Sequence, residues 1–298
     1  MLLEALHYAR ARLGGEPNPH GHLTELVGIW ARHRRQRQAW AEHLARARAL
    51  CLAAAEAAIR DADHGDEHAR LDTAVVYGAG VLNDVPLERL AALFRRVVLA
   101  DMAFLPRTRN LARELGNVEL RHVDLTGALH RLPPPEWFAA QDMTALAAPA
   151  ADLALGLDNL DFAYSANLLS QLPLAPLVAL RRRDPAPDPA RLEQYAASLV
   201  RAHLAALAAL PCPACLVADV RERGLDAQGL AQYEDDLLFG VDPGLRGETW
   251  TWPLAPRGEE HSQLDIERVV LGVADARPGA REQSGQAGHS PRGGGGHV

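Results

Sequence analysis

From residue 73 to residue 273, short β-branched runs alternate with helical stretches, and this alternation narrows the possible folds more than any other feature of the chain. Residues 73–77 read as a first strand that runs into Gly78-Ala79-Gly80. A helix over 86–94, with Pro at its first turn, leads to a buried strand over 97–99 that ends at Asp101. A helix over 107–115 is stopped by Gly116, and residues 118–123 form a third strand ending at Asp124. After Pro133-Pro134-Pro135 a helix is expected near 136–147. Residues 160–166 and 215–220 read as the fourth and fifth strands, with a long amphipathic helix over 189–210 between them. An acidic helix or loop then leads to two last strands, 248–252 and 266–273. With no long helix between them, these two can pair as an antiparallel hairpin. The fold class is α/β, a doubly wound, mostly parallel sheet with a C-terminal antiparallel hairpin.

The first 70 residues are different. Residues 23–60 contain no Pro and are rich in Ala, Leu, Arg and Glu, which predicts one long helix with Thr24 as its N-cap. The expected organisation is a helical extension over 1–70, a sheet domain over 71–274 and a disordered Gly-rich tail over 275–298.

In an open parallel sheet, ligands sit beyond the carboxyl ends of the strands, where strand order reverses. Gly78 and Gly80 follow the first strand, where glycine lets the backbone approach a ligand. Asp101 lies 23 positions after Gly78 and can accept hydrogen bonds from a ribose diol. Asp124, at the third strand end, could accept one from an adenine amine. The alternative for all three ends is a glycine turn with two Asp residues serving as caps.

With Val75-Val76-Tyr77-Gly78-Ala79-Gly80, Val97-Val98-Leu99-Ala100-Asp101, Arg121-His122-Val123-Asp124 and Tyr164-Ser165-Ala166-Asn167-Leu168-Leu169, the chain resembles the class I S-adenosylmethionine-dependent methyltransferases. The resemblance runs over about 73–273 and implies a Rossmann-like methyltransferase fold, S-adenosylmethionine as cofactor and methyl transfer to an unidentified acceptor. It implies Gly78 and Gly80 beside the methionine part, Asp101 on the ribose, Asp124 near adenine, and Asn167 facing the methionine end or the acceptor. The acidic residue usual two places before the first glycine is Val76 here, and Leu82 stands in place of a third glycine. Asp84 is the candidate to hold the methionine amino group instead. Two other readings stay open. One is a non-catalytic binding or scaffold protein on a degenerate methyltransferase fold. The other is a nicotinamide-dependent oxidoreductase, which the missing third glycine disfavours.

Composition removes several chemistries. The chain has 31 Lys and Arg residues, all of them Arg, so P-loop, Schiff-base and Ser-Lys mechanisms have no lysine to use. A net charge of −7 argues against bulk attraction to nucleic acid or an anionic membrane. Three cysteines do not make a disulfide framework, and the first residues show no signal-peptide core, so a cytoplasmic protein is expected. Cys212 and Cys215 read as small residues entering a strand, not as a zinc or redox pair. Ser165 lacks the flanking glycines of a nucleophile elbow. The stretch Arg32-His33-Arg34-Arg35 with Arg37 and Trp40 reads as a solvated helix face, with contact to phosphate or an acidic substrate, or a lid over the pocket, as the alternatives. Residues 61–68 read as an acidic linker.

Overall fold

The computed structural model describes residues 2–62, 71–139 and 152–278. The expected linker over 61–68, most of the helix near 136–147 and the Gly-rich tail lie largely outside them.

Five strands form the parallel part of one sheet: β1 (Leu71–Tyr77), β2 (Phe94–Asp101), β3 (Val118–His122), β4 (Leu160–Ala166) and β5 (Ala214–Leu225). Three more are β6 (Ala231–Asp236), β7 (Glu248–Ala255) and β8 (Asp265–Val273). The order is β3-β2-β1-β4-β5-β8-β7, with β6 pairing β5 off this path. β8 runs antiparallel to β5, and β7 antiparallel to β8. The result is a mixed α/β structure with a mostly parallel eight-stranded sheet, consistent with a Rossmann-like fold.

Alternation along the strands explains the layering. Ala74 and Val76 of β1 face one core with Val97, Leu99, Phe162, Tyr164, Cys215 and Val217. Val75 and Tyr77 face the other with Val98, Ala100, Ala163, Leu216 and Ala218. Helix α3 (Ala41–Ala62) covers the first face through Ala47, Cys51, Ala54 and Ala58, together with α4 (Leu87–Leu93). Helix α8 (Pro189–Ala208) covers the second through Ala197, Val200 and Leu207. Its N-cap is Asp188, whose side chain accepts from the amides of Ala190 and Arg191.

The N-terminal segment corrects the expected single helix. It forms α1 (Leu2–Leu13), α2 (His22–Arg35) and α3, with a turn over 36–40. Tertiary bonds hold that break: Gln36 donates to Glu259 Oε2 at 2.8 Å, and the buried Trp40 indole donates to the Leu254 carbonyl at 3.0 Å. Helix propensity there yields to docking on the β7–β8 hairpin. Nor is Thr24 the cap. The helix starts after Gly21 (φ +85°), and Asn18 Oδ1 accepts from the Leu23 amide at 2.9 Å.

The remaining elements are α5 (Pro106–Leu115), α6 (Pro135–Ala139) and α7 (Leu174–Arg181). The acidic segment read as a helix or loop is strand β6, because β5 continues past Asp219 and offers it a free edge. Its alternation is invisible because both faces are mostly exposed.

One buried carboxylate ties the N-terminal segment to the strand ends. Glu16, 1% exposed, accepts from the Phe104 amide, from His122 Nε2 at 2.9 Å and from Arg109 Nη1 at 2.9 Å. Removing one partner of a buried charged pair typically costs about 3 kcal/mol. Glu16→Ala is therefore expected to lower the unfolding free energy by about that amount, read from the urea midpoint.

Candidate functional site

A cavity of about 470 Å³ lies beyond the carboxyl ends of β1, β2 and β4, where the sheet order turns back. Gly78, Asp101 and Asn167 line it together. Gly78 turns with φ +78° and donates its amide to Ala100 at 3.0 Å. A Cβ at Gly78 would lie 3.0 Å from the Ala166 carbonyl and 3.1 Å from Leu168 Cβ, so glycine is required by both conformation and space. Asn167 also has a positive φ, of 48°, a region Asn tolerates better than most residues. Its Oδ1 accepts from the Asp219 amide at 2.9 Å, which ties the end of β4 to β5 where their pairing stops.

Asp101 is 6% exposed and already well supplied with donors. Its Oδ2 accepts from the Gly80 amide at 2.8 Å, and its Oδ1 accepts from the Met102 amide at 2.7 Å. His22 Nε2, from α2, stands 2.7 Å from the same Oδ1. Burial opposes charge on His22, but the hydrogen bond and charge of Asp101, helped by Glu25, outweigh it and raise its pKa. Leu26 of α2 sits directly over Gly80, whose Cβ would lie 2.8 Å from Leu26 Cδ1. Gly80 is thus roofed and does not line the cavity.

Helix α2 forms one wall through His22, Glu25, Leu26, Ile29 and Arg32. Its Arg-rich stretch is held by the hairpin. Arg32 Nη1 pairs with Glu260 at 2.5 Å, and Arg35 Nη2 pairs with Glu259 at 2.5 Å. His43 and Leu44 of α3 and Trp252 and Leu254 of β7 form a second wall. His43 stacks on Trp252 with ring centres 4.1 Å apart and planes 6° apart. The Trp250 indole donates to His43 Nδ1 at 3.1 Å, and burial pushes the His43 pKa down to about 3, so the ring is neutral.

Two further carboxylates lie near. Asp84 lines the cavity, and burial raises its pKa to about 6, against the smaller pull of Arg48. It makes no ion pair among the described residues. Asp219 is fully buried, and burial raises its pKa although Arg268 Nη1 pairs with it at 2.7 Å. Arg268 also pairs with Glu222 at 3.0 Å and lines the cavity.

Of the six residues expected at a cofactor site, Gly78, Asp84, Asp101 and Asn167 meet at this cavity, and Gly80 lies beneath Leu26. Asp124 is not among the lining residues. Its Oδ1 accepts from the Thr126 amide and hydroxyl and its Oδ2 from the Leu129 amide at 2.8 Å, which makes it the cap of a turn. Ser165 is fully buried and bonded to His203 at 3.1 Å, away from the cavity. Cys212 and Cys215 are free, buried thiols whose pKa values burial raises. The sequence reading missed His22, His43 and Arg268. The only signal for the first two was the lid reading of the Arg-rich stretch, which covered neither residue itself.

No family model matches the chain, and no curated protein matches it. Among solved structures, the chain is similar to 1,6-didemethyltoxoflavin-N1-methyltransferase of Burkholderia thailandensis, solved with 1,6-didemethyltoxoflavin and S-adenosylhomocysteine. The identity is 14%, the TM-score is 0.32, and the match covers 87% of this chain and 92% of that one. No residue role follows from it. No helix among the described residues is long and apolar enough to cross a membrane.

Asp84 and His22 give pH dependences of the same sign in successive pH ranges. A raised carboxylate pKa means the folded chain holds a proton the unfolded chain has lost, so the Asp84 contribution falls as pH rises from about 4 to about 6. Asp84→Asn should therefore raise stability at pH 7, on the order of 1–3 kcal/mol, and flatten this part of the pH profile. His22, with a raised pKa, stabilises the folded chain fully below about 6.5 and loses that as pH rises through its folded value. His22→Ala should remove this loss, read as thermal midpoints from pH 5 to pH 9.

Proposed function

We propose that the cavity binds S-adenosylmethionine and that the protein transfers its methyl group to an acceptor in the same cavity. The observation that carries this reading is the meeting of Gly78, Asp101 and Asn167 at one cavity, on the ends of three neighbouring parallel strands where strand order reverses. The residues present fit such a ligand. Gly78 leaves backbone space for the methionine part. Asp84 offers an unpaired carboxylate to its amino group, a place where Val76, fully buried in the sheet core, offers none. Asp101 takes the ribose hydroxyls, and Asn167 stands nearest the reacting end. Asp124 has no part in holding adenine on this reading.

When bound, the cofactor supplies an activated methyl group on a sulfonium. What the chain's own residues do is hold and align, which suffices for a displacement of this kind. Asp84 neutralises an ammonium, Asn167 is fixed by Asp219, and the apolar side chains of Leu26, Ile29, Leu44 and Leu254 exclude water.

Helix α2 bears on this directly. His22 holds a position on Asp101 that a ribose hydroxyl would use, and Leu26 covers Gly80. Cofactor entry on this reading requires α2 to withdraw, as a lid does. The same contacts favour a second reading, a binding protein whose nucleoside half is permanently filled by α2.

Calorimetric titration with S-adenosylmethionine, S-adenosylhomocysteine and NAD separates the two. The expected result is micromolar binding of both sulfur ligands and none of NAD. Asp101→Ala should then weaken S-adenosylhomocysteine at least tenfold, and His22→Ala should tighten it several-fold. No heat from either sulfur ligand, in both the native chain and His22→Ala, selects the binding-protein reading.

A further inference from the structure

We propose that the end of the cavity bounded by α3 and β7 binds a neutral, flat aza-aromatic molecule through a carbonyl-type oxygen, and that a ring nitrogen of this molecule is the methyl acceptor. The second half rests on the methyl-transfer reading. The first half stands on geometry alone.

Trp252 is 7% exposed and lines the cavity, yet its indole N–H has no hydrogen-bond partner among the described residues. An unmade buried N–H is costly, and in a native structure it calls for an explanation. The stacked His43, 1% exposed, lines the same wall. Its Nδ1 accepts from Trp250, so the ring proton sits on Nε2, which bonds nothing among the described residues. Two neutral N–H donors thus stand on stacked rings beside Trp40, Leu44 and Leu254. Such a wall takes a mostly apolar, flat body carrying an oxygen acceptor.

Charge narrows the class further. Arg32 is paired with Glu260, and Arg268 with Asp219 and Glu222. Asp84 has no ion pair among the described residues, and Glu25 approaches only His22 Nδ1, at 3.9 Å. A negatively charged acceptor would meet these carboxylates, whereas a neutral molecule enters and a positively charged product is stabilised.

The chemistry also limits the nucleophile. His43 has its Nδ1 lone pair engaged and cannot take a proton from an acceptor. A pyridine-type ring nitrogen has no proton to lose. Its lone pair forms the N–CH₃ bond as the S–CH₃ bond breaks, and the thioether leaves with that bonding pair. The positive charge passes from sulfur to the ring, and no base is consumed.

The test uses the full chain with nicotinamide as probe and benzamide and benzoate as controls, titrated with and without S-adenosylhomocysteine. Nicotinamide and benzamide should bind alike through the carbonyl, and benzoate at least tenfold more weakly. Trp252→Phe, which keeps the ring and removes the orphan donor, should weaken both amides about fivefold without lowering the thermal midpoint. His43→Gln, which keeps a donor, should retain binding, and His43→Leu should lose it. With S-adenosylmethionine present, mass spectrometry should find N-methylated nicotinamide and unchanged benzamide. Absence of amide binding to the native chain, or equal binding to Trp252→Phe and His43→Leu, overturns the subsite. Donor-dependent amide binding without any binding of the sulfur ligands leaves the subsite standing and overturns methyl transfer. Binding of the sulfur ligands without amide binding does the reverse.

Discussion

The reversal of strand order between β1 and β4 governs the rest of the molecule. At that point the crossover from β1 goes one way, towards β2 and β3, and β4 and β5 lie on the other side. The chain leaving β1 must turn without meeting the carbonyl of Ala166, and Gly78 alone satisfies that. The crevice it leaves has Asp101 on one side and Asn167 on the other. Two polar anchors, Asn167 with the Asp219 amide and Asp219 with Arg268, keep the strand ends in register. A void there is not a packing defect. It is the gap between two sets of crossovers that diverge.

The N-terminal helices complete the cavity and do not merely precede the sheet. Helix α3 lies on the first face of the sheet and brings His43 against Trp252. Helix α2 lies across the strand ends, held by ion pairs to the hairpin at one end and by His22 on Asp101 at the other. The partly exposed pairs to the hairpin contribute about 0–1 kcal/mol each, while the other end is held by the more buried His22–Asp101 contact and by Leu23, Leu26 and Val27. An element fastened in this way can move without unfolding the sheet.

Much of this was legible in the sequence. The strand over 160–166 was read with its observed bounds, because it is buried on both faces and bordered by polar residues. That Gly78 and Asp101 stand at neighbouring strand ends was legible because the alternation of strand and helix places the end of each strand. What escaped the reading depends on tertiary contact. The break at residues 36–40 follows from Trp40 and Gln36 docking on the hairpin, which no local propensity records. Strand β6 exists because β5 overruns β4 and leaves that edge free. Asp124 at its strand end looked equivalent to Asp101, and only the turn back to Leu129 distinguishes them. His22 and His43 gave no local signal, since a lone histidine on a helix has no pattern until its partner from another element is placed beside it.

The account stands most directly on what Asp101 holds when the cavity is filled, and a crystal structure of the chain with S-adenosylhomocysteine measures that. The account predicts the ribose hydroxyls on Asp101, the methionine part over Gly78, the amino group on Asp84 and His22 displaced from its 2.7 Å contact. A complex in which His22 keeps Asp101 and the ligand lies elsewhere, or crystals that take up no ligand, would contradict it.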